Sequence, residues 1–194
     1  LRMSFKSYYG LFFAIGLGLT ANRADADTVY FTQRQVLREF FPTSDRVDFV
    51  RVTPNRAQQQ ALRARLGYPL PKATYTFYVA TSRGAVDGYA VIDEERGQHM
   101  PITFAVKLGR AGVVEKLDVM VYRESLGDEV RDARFLRQFV GKTATDRLRV
   151  HADVAAVSGA TLSSYALTEG VRRAVALFDE CVKTIRPTPA LSAR

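Results

Sequence analysis

Cysteine is nearly absent from this chain of 194 residues. The single one, Cys181, has no intramolecular partner, and no Cys-x-x-Cys or Cys-x-x-Cys-His occurs. Covalent haem attachment, a thioredoxin-like redox pair and a cysteine-rich zinc site are excluded on that count. Histidine is as scarce: His99 and His151 are isolated, with no second histidine or carboxylate at ligand spacing, so no metal centre is expected. No apolar run reaches the roughly 20 residues that cross a bilayer as a helix. Clusters of Lys and Arg with interleaved aromatics are also missing, and nucleic acid is not an expected partner.

What is present has the balance of an ordinary globular domain, 47% apolar and 25% charged. A domain of about 150–170 residues buries about 70% of its unfolded surface, enough to fold without a disulfide or a metal. The length suggests one such domain with an extension. Residues 1–26 read as that extension. Arg2 and Lys6 form a basic start, Tyr8 to Ala21 an apolar run, and Ala24-Asp25-Ala26 a small-x-small site. These are the three parts of a secretory signal peptide, which predicts a periplasmic or other extracytoplasmic mature chain. The alternative is a retained membrane anchor, for which a 14-residue run is short. Removal of Arg2, Lys6, Arg23 and Asp25 takes the net charge from +8 to +6, an excess that bears on solubility and partner choice.

Two helices are expected first. Thr32-x-x-Gln35 resembles a capping box ahead of Val36, Leu37, Phe40 and Phe41, with Pro42 as the stop. Thr53 is a candidate N-cap before Pro54, with Ala57, Ala61, Leu62 and Leu66 as the buried stripe and Gly67 as the stop. From Thr74 the period changes to that of strands: Tyr75–Ala80, Gly88–Ile92, Ile102–Lys107 and Val113–Tyr122, separated by Gly84, Gly97 and Gly109–Gly112. Phe135, Leu136, Phe139 and Val140 form a short helix stopped by Gly141. A long closing helix is expected from about Leu162 to Lys183, burying Leu167, Val171, Ala174, Val175, Phe178 and Val182. The tail after Pro187 reads as disordered. The fold class that results is α+β: a mostly antiparallel sheet with two N-terminal helices and a C-terminal helix packed on it.

Chemistry concentrates in Val157-Ser158-Gly159-Ala160-Thr161-Leu162-Ser163-Ser164, ahead of the closing helix. Small side chains let a bulky ligand approach the backbone, and the first amides of a helix favour an anionic group. Two readings stay open on physics alone: a phosphate site, or a plain helix cap made by Ser158 or Thr161.

Ser-Gly-Ala-Thr-x-Ser, at Ser158, Gly159, Ala160, Thr161 and Ser163, resembles the attachment motif of the FMN-binding domain family. Covalently flavinylated subunits of the sodium-pumping NADH:quinone reductase and of the Rnf electron-transport complex are members. The resemblance runs from about Thr74 to Cys181. It takes in Gly88-Tyr89-Ala90, Gly97 to Phe104, the strand Val113 to Tyr122, Tyr122-Arg123-Glu124-Ser125-x-Gly127, and Phe135 to Lys142. Where the family often has His-x-Glu-Thr-Pro-Gly, this chain has Tyr122, Ser125 and Leu126 in place of His, Thr and Pro.

The resemblance implies FMN held by a phosphoester to Thr161, placed there from FAD by a flavin transferase. Ser158, Gly159, Ala160 and Ser163 would surround it, and Glu124, Ser125 and Gly127 are candidates to line the flavin pocket. Residues 27–186 would then be the FMN-binding domain, with a helical lead-in at 27–70 and the flavin-carrying core at 74–183. The implied function is an exported electron-transfer flavoprotein that relays electrons between redox partners, one of them membrane-bound or periplasmic. A flavin-dependent reductase of a small substrate and a non-redox flavin-binding regulatory module are the alternatives.

The remaining chemistry-bearing residues have plainer readings. Arg123 is expected as a solvated surface arginine rather than a flavin contact, and Cys181 as a small buried hydrophobe. Tyr75, Phe77 and Tyr78 are expected in the sheet, and Glu94 and Glu95 on opposite faces of it.

Overall fold

The β-rich middle of the chain builds one antiparallel sheet. A computed structural model describes residues 27–184, so the signal-like segment and the tail after Pro187 lie outside the described residues. Six strands, β1 (Thr28–Val29), β2 (Arg46–Val52), β3 (Tyr75–Ser82), β4 (Ala85–Arg96), β5 (Pro101–Gly109) and β6 (Val114–Tyr122), lie in the order β1-β6-β5-β4-β3-β2. The strands β3 to β6 form successive hairpins. Arg83 and Gly84, at φ 52° and 79°, make the first turn, the paired positive angles that match the twist of a two-residue hairpin.

The centre of the sheet is covered on both sides. Ile102, Phe104, Val106 and Leu108 of β5 point to one face, where α4 (Thr161–Leu177) packs on the sheet and α2 (Arg56–Leu66) packs against α4 in the same core. Phe104 lies against Gly170 of α4, where any side chain would meet its ring. Ala80, Ala90, Ala105 and Met120 line the other face, small enough for α1 (Gln33–Phe40) to close over them with Val36, Phe40 and Phe41. The chain is therefore α+β, with the closing helix on the sheet as expected.

Several details differ from the sequence reading. The α2 helix begins after Asn55, not Thr53. Asn55 Oδ1 accepts from the Gln58 amide at 2.9 Å and Gln58 Oε1 from the Asn55 amide at 3.0 Å, a complete capping box. Thr53 Oγ1 instead pairs with Thr74 Oγ1 at 3.0 Å. Between the two helices lies β2, which pairs along its whole length with β3. Beyond Leu177 the closing helix loosens into a π turn over Phe178–Val182, although Phe178 and Val182 are buried as predicted.

The face of α4 is not wholly apolar. Arg173, 1% exposed, reaches across to β4, where Nη2 donates to Asp93 Oδ2 at 2.8 Å and Nη1 pairs with Glu95. Lys72 completes the cluster on Asp93 Oδ1 at 2.6 Å. Glu94 faces the other way, accepting from Thr103 Oγ1 at 2.9 Å, so the two glutamates do split across the sheet.

Candidate functional site

The first turn of α4 begins at Thr161 with no side chain capping it. Its N-cap residue is Ala160, which has nothing to cap with, and neither Ser158 nor Thr161 takes that role. The plain-cap reading of the motif is thus set aside. The loop is held instead from inside. Ser164 Oγ accepts from the Val157 amide at 3.0 Å and donates to the Ala160 carbonyl at 2.9 Å. Gly159 takes φ +83°, a left-handed angle suited to glycine, and this turns the chain into the helix. Ser158, Gly159, Thr161 and Leu162 are exposed, while Ala160, Ser163 and Ser164 are buried. The result is an exposed threonine hydroxyl beside helix amides that no side chain satisfies, where the dipole favours negative charge.

Ser163 ties this turn to the end of β6. The pairing of β5 with β6 shifts between Thr103 and Phe104, leaving Met120 as an extra residue on β6. Without that bulge, strict alternation from Leu117 and Val119 would aim Tyr122 away from α4; with it, Tyr122 joins the α4-side core. Tyr122 OH lies 2.6 Å from the Leu126 carbonyl and 2.9 Å from Ser163 Oγ. Burial pushes its phenol above the ordinary value of 10, so it is a neutral donor at neutral pH. Its one proton goes to the carbonyl, so Ser163 donates to the phenol oxygen. Gly127, at φ +95°, fits under this pair, where a Cβ would come within 2.9 Å of Ser163 Oγ.

The structure therefore brings together Thr161, Ser158, Gly159, Ala160, Ser163 and Gly127. Ser125 and Leu126 are placed on the connecting loop, both exposed, Leu126 at 78%. The Glu124 carboxylate is spent elsewhere: Oε1 accepts from the His99 and Met100 amides at 2.7 and 3.0 Å, closing the tip of the β4–β5 hairpin. Arg123 is a correction. Its side chain is only 18% exposed and donates to the Pro101 carbonyl and Thr103 Oγ1, each at 2.9 Å, because β5 offers acceptors that a solvated arginine would not use.

Tyr165 lies one turn beyond Thr161, and His151 meets its ring edge-on at 6.0 Å. His151 holds φ +66°, strained for a residue with a side chain. The link from Tyr122 to Ser163 and the buried Arg172 and Arg173 were missed in the sequence. Two arginines inside an apolar stripe were the available signal for the latter. Among the described residues no group of His, Cys, Asp and Glu gathers to hold a metal, and no helix is long and apolar enough to cross a membrane. Burial pushes the Cys181 thiol up to about 11, so it stays protonated and inert.

The FMN-binding domain family model matches residues 97–176. Among solved structures, NqrC of Shewanella oneidensis is similar at 16% identity and a TM-score of 0.51, over 77% of this chain and 87% of that one. A subunit of the Na(+)-translocating NADH-quinone reductase from Parabacteroides distasonis is similar at 14% identity and a TM-score of 0.51, over 80% of this chain and 86% of that one. At these identities the likeness is one of fold. No curated protein matches the sequence. The matched segment, residues 97–176, holds Thr161 together with Tyr122, Gly127 and Ser163, and over it the chain is similar to the FMN-binding domain family.

Proposed function

We propose that this protein carries FMN through a phosphoester to Thr161, attached from FAD by a flavin transferase, and that it relays electrons outside the cytoplasm. The observation that carries the reading is the exposed Thr161 at an uncapped helix amino end, inside the segment that matches the family. The residues present fit the group. A phosphate ester on Thr161 would meet amides that no side chain occupies, and Gly159 and Ala160 leave the backbone bare beside it. When bound, FMN supplies the exchange of one or two electrons. The chain's own part is to present the hydroxyl, to offer amide donors to the phosphate, and to hold the turn rigid through Ser163 and Ser164. One of the similar structures is a subunit of a sodium-translocating NADH-quinone reductase, which supports a redox protein as partner.

An open position also favours a carrier over a reductase. Neither the cleft beside α1 and β2 nor that beside α2 and α4 reaches Thr161, whereas reduction of a small substrate calls for a site that excludes water. Coexpressed with a flavin transferase and exported, the protein should stay yellow after denaturation, with its mass raised by one FMN ester on the Thr161 peptide. Thr161→Val should give folded, colourless protein. Release of all flavin on denaturing the unmodified sequence would refute the attachment.

A further inference from the structure

We propose that a cleft on the far part of α4 docks an acidic segment of a partner protein. The cleft has a volume of about 610 Å³ and lies between the end of α2, the middle of α4 and the loop 144–152. Four arginines line it, Arg65, Arg147, Arg149 and Arg172, against one carboxylate, Asp146. Arg172 forms its floor, with Nη2 held by the Leu66 carbonyl at 2.5 Å and by Glu169 Oε2 at 2.7 Å. Arg65 pairs with Asp179 at 3.1 Å. Arg147 and Arg149 are exposed and take part in no ion pair among the described residues.

The loop is built so that its acidic groups do not cancel these two. Asp146 Oδ2 accepts from the Thr143 amide at 2.8 Å and from Thr143 Oγ1 at 2.9 Å. Asp153 accepts from the Leu148 and Arg149 amides at 3.1 and 2.9 Å and from Lys142 at 3.0 Å. Leu148, fully buried at φ +47°, is the anchor between the two arginines. The carboxylates are thus turned into the loop, and the guanidinium groups are left facing the solvent.

The lining also says which anion fits. No aromatic ring lines the cleft, and its apolar residues are the small Ala144, Ala152 and Val175. A nucleotide or another ring-bearing ligand would find no surface to stack on. A single small anion is too small for a space worth some twenty waters at about 30 Å³ each. A run of Asp and Glu side chains needs only charge and the forked donors that guanidinium offers to carboxylates. The proposal does not depend on Thr161 or on anything attached to it.

A fluorescent hexaglutamate peptide titrated with the full chain tests it by anisotropy. Saturable binding at low ionic strength should weaken as salt rises. R147E/R149E should weaken it about tenfold or more, while the matched reversal R34E/R38E on α1 should leave it within about twofold. Both arginines of the cleft pair are exposed, so the thermal unfolding midpoint should not move; R147Q/R149Q serves if the reversal unfolds the chain. Absence of saturable binding would overturn the proposal. Equal loss in both double variants would do so too, by assigning the affinity to net charge. Displacement of the peptide by equimolar pyrophosphate, insensitive to salt, would make the cleft a small-molecule site instead. Because each readout uses the polypeptide alone, failure of flavin attachment would leave these outcomes intact.

Discussion

At the residue scale, the phenol of Tyr122 joins the end of β6 to the first turn of α4. It is 2% exposed and bonds at once to the Leu126 carbonyl and to Ser163. Tyr122→Phe keeps the ring in the core and removes both bonds, so unfolding in urea should show a loss of about 1–2 kcal/mol. A loss well below that would mean that water replaces both partners. Gly127→Ala should cost more, about 2 kcal/mol or above, since it adds a Cβ at φ +95° and presses it on Ser163 Oγ and the Tyr122 hydroxyl. Thr161 is in the opposite situation. Its side chain is exposed and caps nothing, so its loss should leave stability unchanged.

At the scale of elements, the tie between α4 and β4 is ionic. Arg173 and Asp93 are 1% and 5% exposed, and removal of one partner from a buried pair costs about 3–5 kcal/mol. Arg173→Met should fall toward the lower end of that range, because Lys72 still neutralises Asp93 from the surface side. The loop between α3 (Ala133–Arg137) and α4 is knotted by carboxylates. The amide of Thr143 holds Asp146 below its ordinary 3.8. Burial opposes the same shift at Asp153, but the Arg149 amide, Lys142 and the Leu148 amide outweigh it. A depressed carboxylate contributes stability that is present above the ordinary value and is lost as pH falls through its folded pKa. The loop should therefore loosen first below about pH 4, seen as faster amide exchange at Leu148 and Arg149. Asp153→Asn should bring that loosening to neutral pH.

Elements such as these mark where the sequence could be read. The capping box at Thr32, the stop at Gly67 and the stripe Leu167–Val171–Ala174–Phe178 are local patterns, and the structure keeps them. So is the Ser158–Ser163 motif, whose residues gather at one helix end. The β2 strand is not legible in the sequence, because Arg46, Asp48 and Arg51 break its apolar run; only its pairing with β3 at the sheet edge makes it a strand. The Met120 bulge is equally silent in sequence, since it depends on the register against β5. Nor could the sequence place Glu124, whose partners are amides of another hairpin.

At the scale of the whole molecule, the net charge of +8, or +6 without residues 1–26, sets the expectation for traffic with partners. A carrier with its prosthetic group on an exposed helix end reacts by collision, so its rate depends on the encounter. Attraction between a basic surface and an acidic one raises that rate, and salt lowers it once the screening length falls to about 8 Å near physiological ionic strength. The flavin-loaded protein should therefore exchange electrons quickly with a membrane-bound or periplasmic partner at low salt. Stopped-flow absorbance should show that rate falling about tenfold or more as salt is added. Turnover with small metabolites should be negligible, because Thr161 lies open and outside both clefts. Reversal of Arg147 and Arg149 should flatten the salt dependence if the partner docks through that cleft, and should leave the low-salt spectrum of the bound flavin unchanged. Rapid reduction of one small molecule by the purified protein alone, indifferent to salt, would instead point to a reductase.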